Sequence, residues 1–231
     1  MEPRASDQSA LVASQRMRVA YLLTMVGGFL DAYTYVERGG VFANAQTGNI
    51  VKLGISLAND AHDQYLFYFI PICAFAMGLI SAKLIEEILN RRRLRLVRRC
   101  VLAAEIVSLG IAGIMPTGTQ WNALANSVVS FVAAMQYETF KTFRGEAIVT
   151  IMSTGNLRKC VDNLFDGIAY RDVHKLRLAA IFLSIIVTFG AGAFLGTRAC
   201  DAMGRAAIIP AMVGLLLVIV IITVLRRHNA R

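Results

Sequence analysis

Six long apolar runs constrain this chain more than any other feature of its sequence. They lie at about residues 18–36, 65–90, 100–116, 122–140, 177–197 and 206–225. A helix needs roughly 20 apolar residues to cross the hydrocarbon layer of a bilayer, and each run is close to that length. Because lipid offers no hydrogen-bonding partners, each run must satisfy its backbone groups internally. The sequence therefore predicts an all-α integral membrane protein with six transmembrane helices.

The composition agrees with this fold class. Apolar residues make up 56% of the 231 residues and charged residues 17%, whereas a typical soluble domain is about 25% charged. Residues 1–16 are polar and small, which predicts a disordered cytoplasmic tail before a single membrane domain at 17–231. The first run follows Arg18 as a signal peptide would, but Asp31 interrupts its end, so we expect it to be retained.

The basic residues indicate how the chain is oriented. A net charge of +9 is compatible with nucleic-acid binding, but its distribution favours a membrane explanation. One predicted side holds the run from Arg91 to Arg99, the segment from Lys141 to Arg177 and both termini, and the other side holds few cations. The positive-inside rule produces this asymmetry. We therefore expect cytoplasmic N- and C-termini, a lipid bilayer as partner, and no nucleic acid.

A break and restart follow the first run. The run passes Asp31, breaks at Gly39-Gly40, and continues as an extended approach from Val41 to Gln46. Thr47 is a plausible N-cap for a short second helix, and Gly48 permits a close backbone approach. This pattern predicts a half-helix that begins inside the membrane.

The same arrangement occurs twice. The motif Thr47-Gly48-Asn49 recurs as Thr154-Gly155-Asn156, and at the same offset Asp31 corresponds to Glu138. Each copy contains three of the long runs, so the copies would cross the membrane in opposite directions, as in many secondary transporters. The sequence thus predicts two inverted three-helix repeats, at 17–118 and 121–226. Their half-helices are expected to approach each other near the centre.

Polar residues at these breaks form the candidate substrate or coupling site: Asp31, Asn44, Thr47, Gly48, Asn49, Gln136, Glu138, Thr154, Gly155 and Asn156. A carboxylate inside a span is costly and often functional, which suggests proton or cation coupling. The positive end of a half-helix suits an anion or a polar headgroup.

Structural explanations exist for the same residues. Asp31 could be an interfacial residue, Lys141 could neutralise Glu138, and the restarts could be helix caps. Asn44 and Gln136 could hydrogen-bond the broken segments. Glu105 is expected to be a pairing partner at the inner interface.

The sequence gives no sign of catalysis, and we expect no enzyme, no metal and no cofactor. The histidines, His62, His174 and His228, fall in loops or the tail without a metal-ligand spacing. The four cysteines lack a C-x-x-C pattern.

Several of these residues resemble the YoaK-like family of small bacterial multi-pass membrane proteins. The matching motifs are Gly28-Phe29-x-Asp31, Gly40-Val41-Phe42-x-Asn44-x-x-Thr47-Gly48-Asn49, Gln136, and Phe189-x-x-Gly192-x-x-x-Gly196. The resemblance implies a six-helix protein of the bacterial inner (plasma) membrane, and it implies no established activity.

These observations favour a small transporter or permease for a small polar or anionic solute, with proton coupling through Asp31 and Glu138 as a hypothesis. A passive channel and a non-transporting scaffold or regulatory protein remain alternatives. Small-residue faces on the second and fifth runs could pack within the chain or in a homodimer. They comprise Ala74, Gly78 and Ala82, and Thr188, Gly192 and Gly196.

Overall fold

The computed structural model describes residues 5–59, 62–89, 94–143 and 146–228, and these residues are helical apart from connecting segments. The helices are α1 (Ala5–Glu37), α2 (Gln46–Ala58), α3 (His62–Leu89), α4 (Leu94–Ile114), α5 (Thr119–Thr139), α6 (Thr154–Ala169), α7 (Val173–Met203) and α8 (Ile208–His228). A 3₁₀ turn, Gly204–Ala207, joins α7 to α8. The predicted all-α class is confirmed.

Three stretches of the described chain are long and apolar enough to cross a membrane: Met17–Glu37, Gln64–Ile88 and Val173–Val224, the last comprising α7 and α8. Helices α4 and α5 are less apolar, because α4 carries three arginines and Glu105 and α5 contains Asn126 and Gln136. Large apolar side chains are exposed along the outer helices, which suits contact with lipid. The chain is an integral membrane protein.

The helices pack as two groups. Helix α1 packs along α7, with α6 on α7 and α8 on α1; helix α3 packs along α5, with α2 on α3 and α4 on α5. Helices α4 and α8 connect the two groups. Exchanging α1–α4 with α5–α8, in order, reproduces these principal contacts.

Glycines bring the central helices of each group into backbone contact. A Cβ added to Gly28 of α1 would lie 2.0 Å from the Phe189 oxygen, and one on Gly192 of α7 would lie 2.1 Å from the Met25 oxygen. A Cβ on Gly78 of α3 would lie 2.2 Å from the oxygen of Phe131 on α5. The small-residue faces of α3 and α7 therefore serve packing within the chain, and the homodimer stays a prediction.

Helix α1 ends where the sequence predicts a break. Gly39 and Gly40 have φ values of 84° and 77°, which residues with a side chain rarely adopt. The helix begins at Ala5, so the predicted disordered tail, 1–16, is helical from that residue on. Extending an existing helix adds a hydrogen bond for each residue fixed, which explains the difference. The side chains of this extension lie outside the described residues.

Candidate functional site

The two short helices begin differently from the sequence prediction. Helix α2 starts at Gln46 with Ala45 as its N-cap, and no side chain caps it. The prediction that Thr47 is the N-cap is therefore wrong. Helix α6 starts at Thr154, again without a side-chain cap. Thr47, Thr154 and Gly155 are exposed and Gly48 is half-buried, so these four residues do not form the buried part of the site.

The asparagine of each motif secures the restart instead. The Asn49 oxygen accepts from the Phe42 amide at 3.1 Å, and its side-chain nitrogen donates to the Phe42 carbonyl at 2.6 Å. Asn156 makes the same two bonds to Val149, at 3.1 and 2.6 Å. Both asparagines are buried. Each therefore satisfies the backbone of the broken segment, as the capping alternative requires.

In each short helix, a lysine donates a hydrogen bond to the segment that precedes the helix. Lys52 donates to the carbonyl of Gly40, and Lys159 donates to the carbonyl of Ala147. Both ammonium groups also lie over aromatic rings, Lys52 over Tyr35, Phe42 and Tyr68 and Lys159 over Phe182. Such contacts stabilise a cation away from bulk water.

The segments before the two short helices meet at Gly27 of α1. The Asn44 side-chain nitrogen donates to the Gly27 carbonyl at 2.9 Å. From the other segment, the Thr150 carbonyl packs so closely that a Cβ on Gly27 would lie 2.6 Å from its oxygen. We call this place the Gly27 junction, formed by Thr24, Gly27, Asn44 and Thr150.

The Gly27 junction contains hydrogen-bonding atoms that are not satisfied. Thr24 Oγ1, Asn44 Oδ1 and Thr150 Oγ1 are buried, and each lacks a protein partner among the described residues. Thr24 lies one helical turn before Gly27 on α1. Because buried polar atoms are nearly always bonded, these three atoms indicate a hydrogen-bonding partner that the described residues do not supply.

Asp31 lies against the segment that leads into α2. The Asp31 carboxyl group accepts from the backbone amide of Asn44 at 2.9 Å, and Asp31 is 5% exposed. The neighbouring Thr34 hydroxyl accepts from the Ala43 amide at 3.2 Å. Asp31 is thus buried, and its carboxyl group gives the segment before α2 a hydrogen-bond acceptor.

Glu138, the counterpart of Asp31, lies elsewhere. Lys141 Nζ is 2.7 Å from its carboxylate and 3.6 Å from Glu86, as expected from the spacing of Lys141 and Glu138. The hydrogen bond to Glu138 raises the pKa of Lys141 above its ordinary value of 10.5, so Lys141 stays charged at neutral pH. Within the described chain, no carboxylate bonds to the segment before α6.

Gln136 contacts a carboxylate that the sequence did not single out as functional. Its side-chain amide lies 2.9 and 3.0 Å from the two oxygens of Glu105, and both residues are essentially inaccessible. Gln136 thus does not bond the broken segments. Glu105 was expected at the inner interface because Arg98 and Arg99 precede it. The signal that could have found it is its place between apolar residues in the third run.

Arg38 directly precedes the Gly39-Gly40 break, and it is completely buried. Its guanidinium donates to the carbonyls of Met115 and Pro116 at 3.1 and 3.0 Å, and its own carbonyl accepts from Asn126 at 2.9 Å. The last carbonyls of a helix lack partners within it and carry partial negative charge. Arg38 therefore joins the end of α1 to the end of α4 and to α5.

A protein family described as a protein of unknown function, DUF1275, matches residues 19–221. No curated protein and no solved structure matches the chain. The matched region extends from α1 into α8 and includes both short helices and the Gly27 junction. The comparisons therefore assign no activity to the chain, and its geometry is the basis for a functional proposal.

Proposed function

The chain belongs to the DUF1275 family of proteins of unknown function, and we propose that it is a small membrane transporter for a small polar or anionic solute. In this proposal six transmembrane helices, α1, α3, α4, α5, α7 and α8, form two inverted repeats of three. Helices α2 and α6 are the half-helices of these repeats. The YoaK-like resemblance agrees with the family.

The repeated restarts support the inverted arrangement. The bonds of Asn49 and Lys52 recur at Asn156 and Lys159, with partners displaced by the same offset along the chain. The helix contacts also survive exchange of the first four helices with the last four. Because each repeat holds three long helices, an odd number, consecutive copies must enter the membrane from opposite sides.

The observation that carries the proposal is the set of unsatisfied polar atoms at the Gly27 junction. Two hydroxyl groups and one amide oxygen of this junction are buried without a protein partner among the described residues, and Asn44 and Thr150 both pack against Gly27. These groups are neutral and suit a polar solute. Asp31 already supplies a carboxylate to the first segment, and the second has none among the described residues, so an anionic group of the solute would lie nearer Thr150.

The division into two helix groups supports alternating access. The Gly27 junction lies between the α1/α7 group and the segment before α2, and its residues are buried. We assign this conformation to an occluded state. Rocking of one group against the other about the α4–α8 contact would open the junction to one side at a time, as in other inverted-repeat transporters.

A flux experiment tests the transport function. The purified protein is first screened for thermal stabilisation by a panel of monocarboxylates, dicarboxylates, amino acids, sugars, ammonium and inorganic phosphate. Solutes that stabilise it are then followed into proteoliposomes, with and without a pH gradient, for the wild type and Asp31→Asn. We expect saturable uptake that the pH gradient drives in the wild type and not in Asp31→Asn.

Each other outcome has a defined meaning. Uptake with the same pH dependence in Asp31→Asn would exclude coupling through this carboxylate. Flux that does not saturate and shows no counterflow would indicate a passive channel. No flux, together with no stabilisation by any member of the panel, would contradict the proposal and favour a scaffold or regulatory protein.

A further inference from the structure

Glu105 on α4 is the most deeply buried carboxyl group outside the Gly27 junction. It is 0% exposed, and its neighbour Gln136 on α5 is 1% exposed. The side-chain amide of Gln136 faces both carboxyl oxygens, at 2.9 and 3.0 Å. The proposed solute site uses neither residue, so their pairing needs its own explanation.

Glu105 takes part in none of the ion pairs found among the described residues. On its own helix, Arg98 lies two turns earlier and over the Phe140 ring. From α5, Glu138 faces Lys141, and so does Glu86 of α3. Helix α8, which also packs on α4, has no titratable residue from Ile208 to Val224.

Burying an ionised carboxylate without a cation costs several kcal/mol, and a carboxyl group in this position takes up a proton instead. A glutamine is suited to both forms of its neighbour. Its nitrogen donates to a carboxylate, and after rotation of the amide its oxygen accepts from a carboxylic acid. The pair can therefore bind or release one proton at the Glu105 carboxyl group without movement of the backbone.

We propose that Glu105 and Gln136 form a proton-binding site, in which the Glu105 carboxyl holds the proton and donates it in a hydrogen bond to the Gln136 side-chain oxygen. When the proton leaves, the amide rotates and its nitrogen donates to the carboxylate. A role of this proton in driving solute uptake rests on the proposed transport function. The binding itself does not, and it is measurable on the resting protein without a solute.

Infrared spectroscopy of the purified protein in lipid nanodiscs at neutral pH tests this site. A protonated carboxyl group has a C=O stretching band apart from the carboxylate and amide bands. We expect such a band in the wild type, loss of its Glu105 component in Glu105→Gln, with any Asp31 component kept, and no change in Glu138→Gln, the matched control whose carboxylate is paired with Lys141. Gln136→Leu should shift the band to higher frequency, because the carboxyl loses its hydrogen bond.

Two measurements keep the test decisive if Glu105→Gln does not fold. Carboxyl-labelled [¹³C]glutamate in the wild type must shift the band, since aspartate remains unlabelled. Glu105→Asp must change its frequency. An unshifted band in the labelled protein, or a folded Glu105→Gln that keeps the full band, would overturn the proposal. Uptake experiments are independent of this result, so a failure here leaves the transport proposal to its own test.

Discussion

At the scale of single residues, Asn49 and Asn156 are the side chains that make the restarts possible. Replacing Asn49 by alanine removes its bonds to Phe42 and leaves a buried amide and carbonyl unpaired, at about 1–3 kcal/mol for each group. We expect a clear fall in the unfolding temperature in detergent, and a similar fall for Asn156→Ala.

Asn163 provides the matched control for this prediction. Its side chain makes one bond, to the Lys159 carbonyl on the same helix, at a half-buried position. Asn163→Ala should therefore change stability by less than about 1 kcal/mol. An equal loss of stability in Asn49→Ala and Asn163→Ala would contradict the role given to the motif asparagines.

The polar residues of the site could be found from sequence because polar groups inside apolar runs are costly. That cost singled out Asp31, Asn44 and Gln136, all of which are buried. Their partners could not be found in the same way. Whether Gln136 bonds a broken segment or Glu105 depends on which helices touch. The burial of Arg38 likewise depends on the end of α4, which lies beside it in the structure.

At the scale of elements, the α1–α7 contact depends on glycine. A Cβ on Gly192 would lie 2.1 Å from the Met25 oxygen, whereas one on Gly190, two residues earlier on the same helix, meets nothing within 4 Å. Gly192→Ala must move the helices apart and should cost about 1–3 kcal/mol. Gly190→Ala should be neutral or stabilise by up to about 1 kcal/mol, since alanine is the better helix former. Thermal unfolding of both variants measures this difference in stability. Equal stabilities would contradict the close contact between α1 and α7 at Gly192.

The helix break and the two short helices could be predicted because glycine pairs and repeated motifs act locally. The exact start of α2 could not. Thr47 has the residue type of an N-cap, but Asn49 bonds back to Phe42 and fixes the segment so that the helix begins at Gln46. A tertiary bond over seven positions thus outweighed the local capping preference of threonine.

At the scale of the whole molecule, the inverted arrangement predicts opposite orientations for the ends of the half-helices. Asn59, after α2, and Arg171, after α6, are both exposed. In a variant without the four native cysteines, Asn59→Cys should react with a membrane-impermeant maleimide in intact cells. Arg171→Cys should react only after permeabilisation. Labelling of both positions from one side would contradict the inverted repeats.

The long apolar helices could be predicted from composition and spacing alone. The pairing of α1 with α7 and of α3 with α5 could not. Neighbours in sequence usually pack together, yet both of these pairs join a helix from the first half of the chain to one from the second half. The close backbone contacts at Gly28, Gly78 and Gly192 show this helix pairing in the structure. The sequence could not predict it, because a glycine in an apolar run does not indicate which helix it will contact.

The central claim is that the Gly27 junction binds the transported solute. The Thr150 hydroxyl has no protein partner among the described residues, so Thr150→Val should leave the unfolding temperature unchanged. Thr34→Val is the control, because the Thr34 hydroxyl donates to the Leu30 carbonyl and accepts from the Ala43 amide. That variant should lose stability.

The decisive measurement is the half-saturation concentration for uptake of a stabilising solute into proteoliposomes. Loss of one hydrogen bond to the solute predicts an increase of about 3- to 10-fold in Thr150→Val. A half-saturation concentration equal to that of the wild type, in a variant that keeps wild-type stability, would contradict the assignment of the Gly27 junction as the solute site.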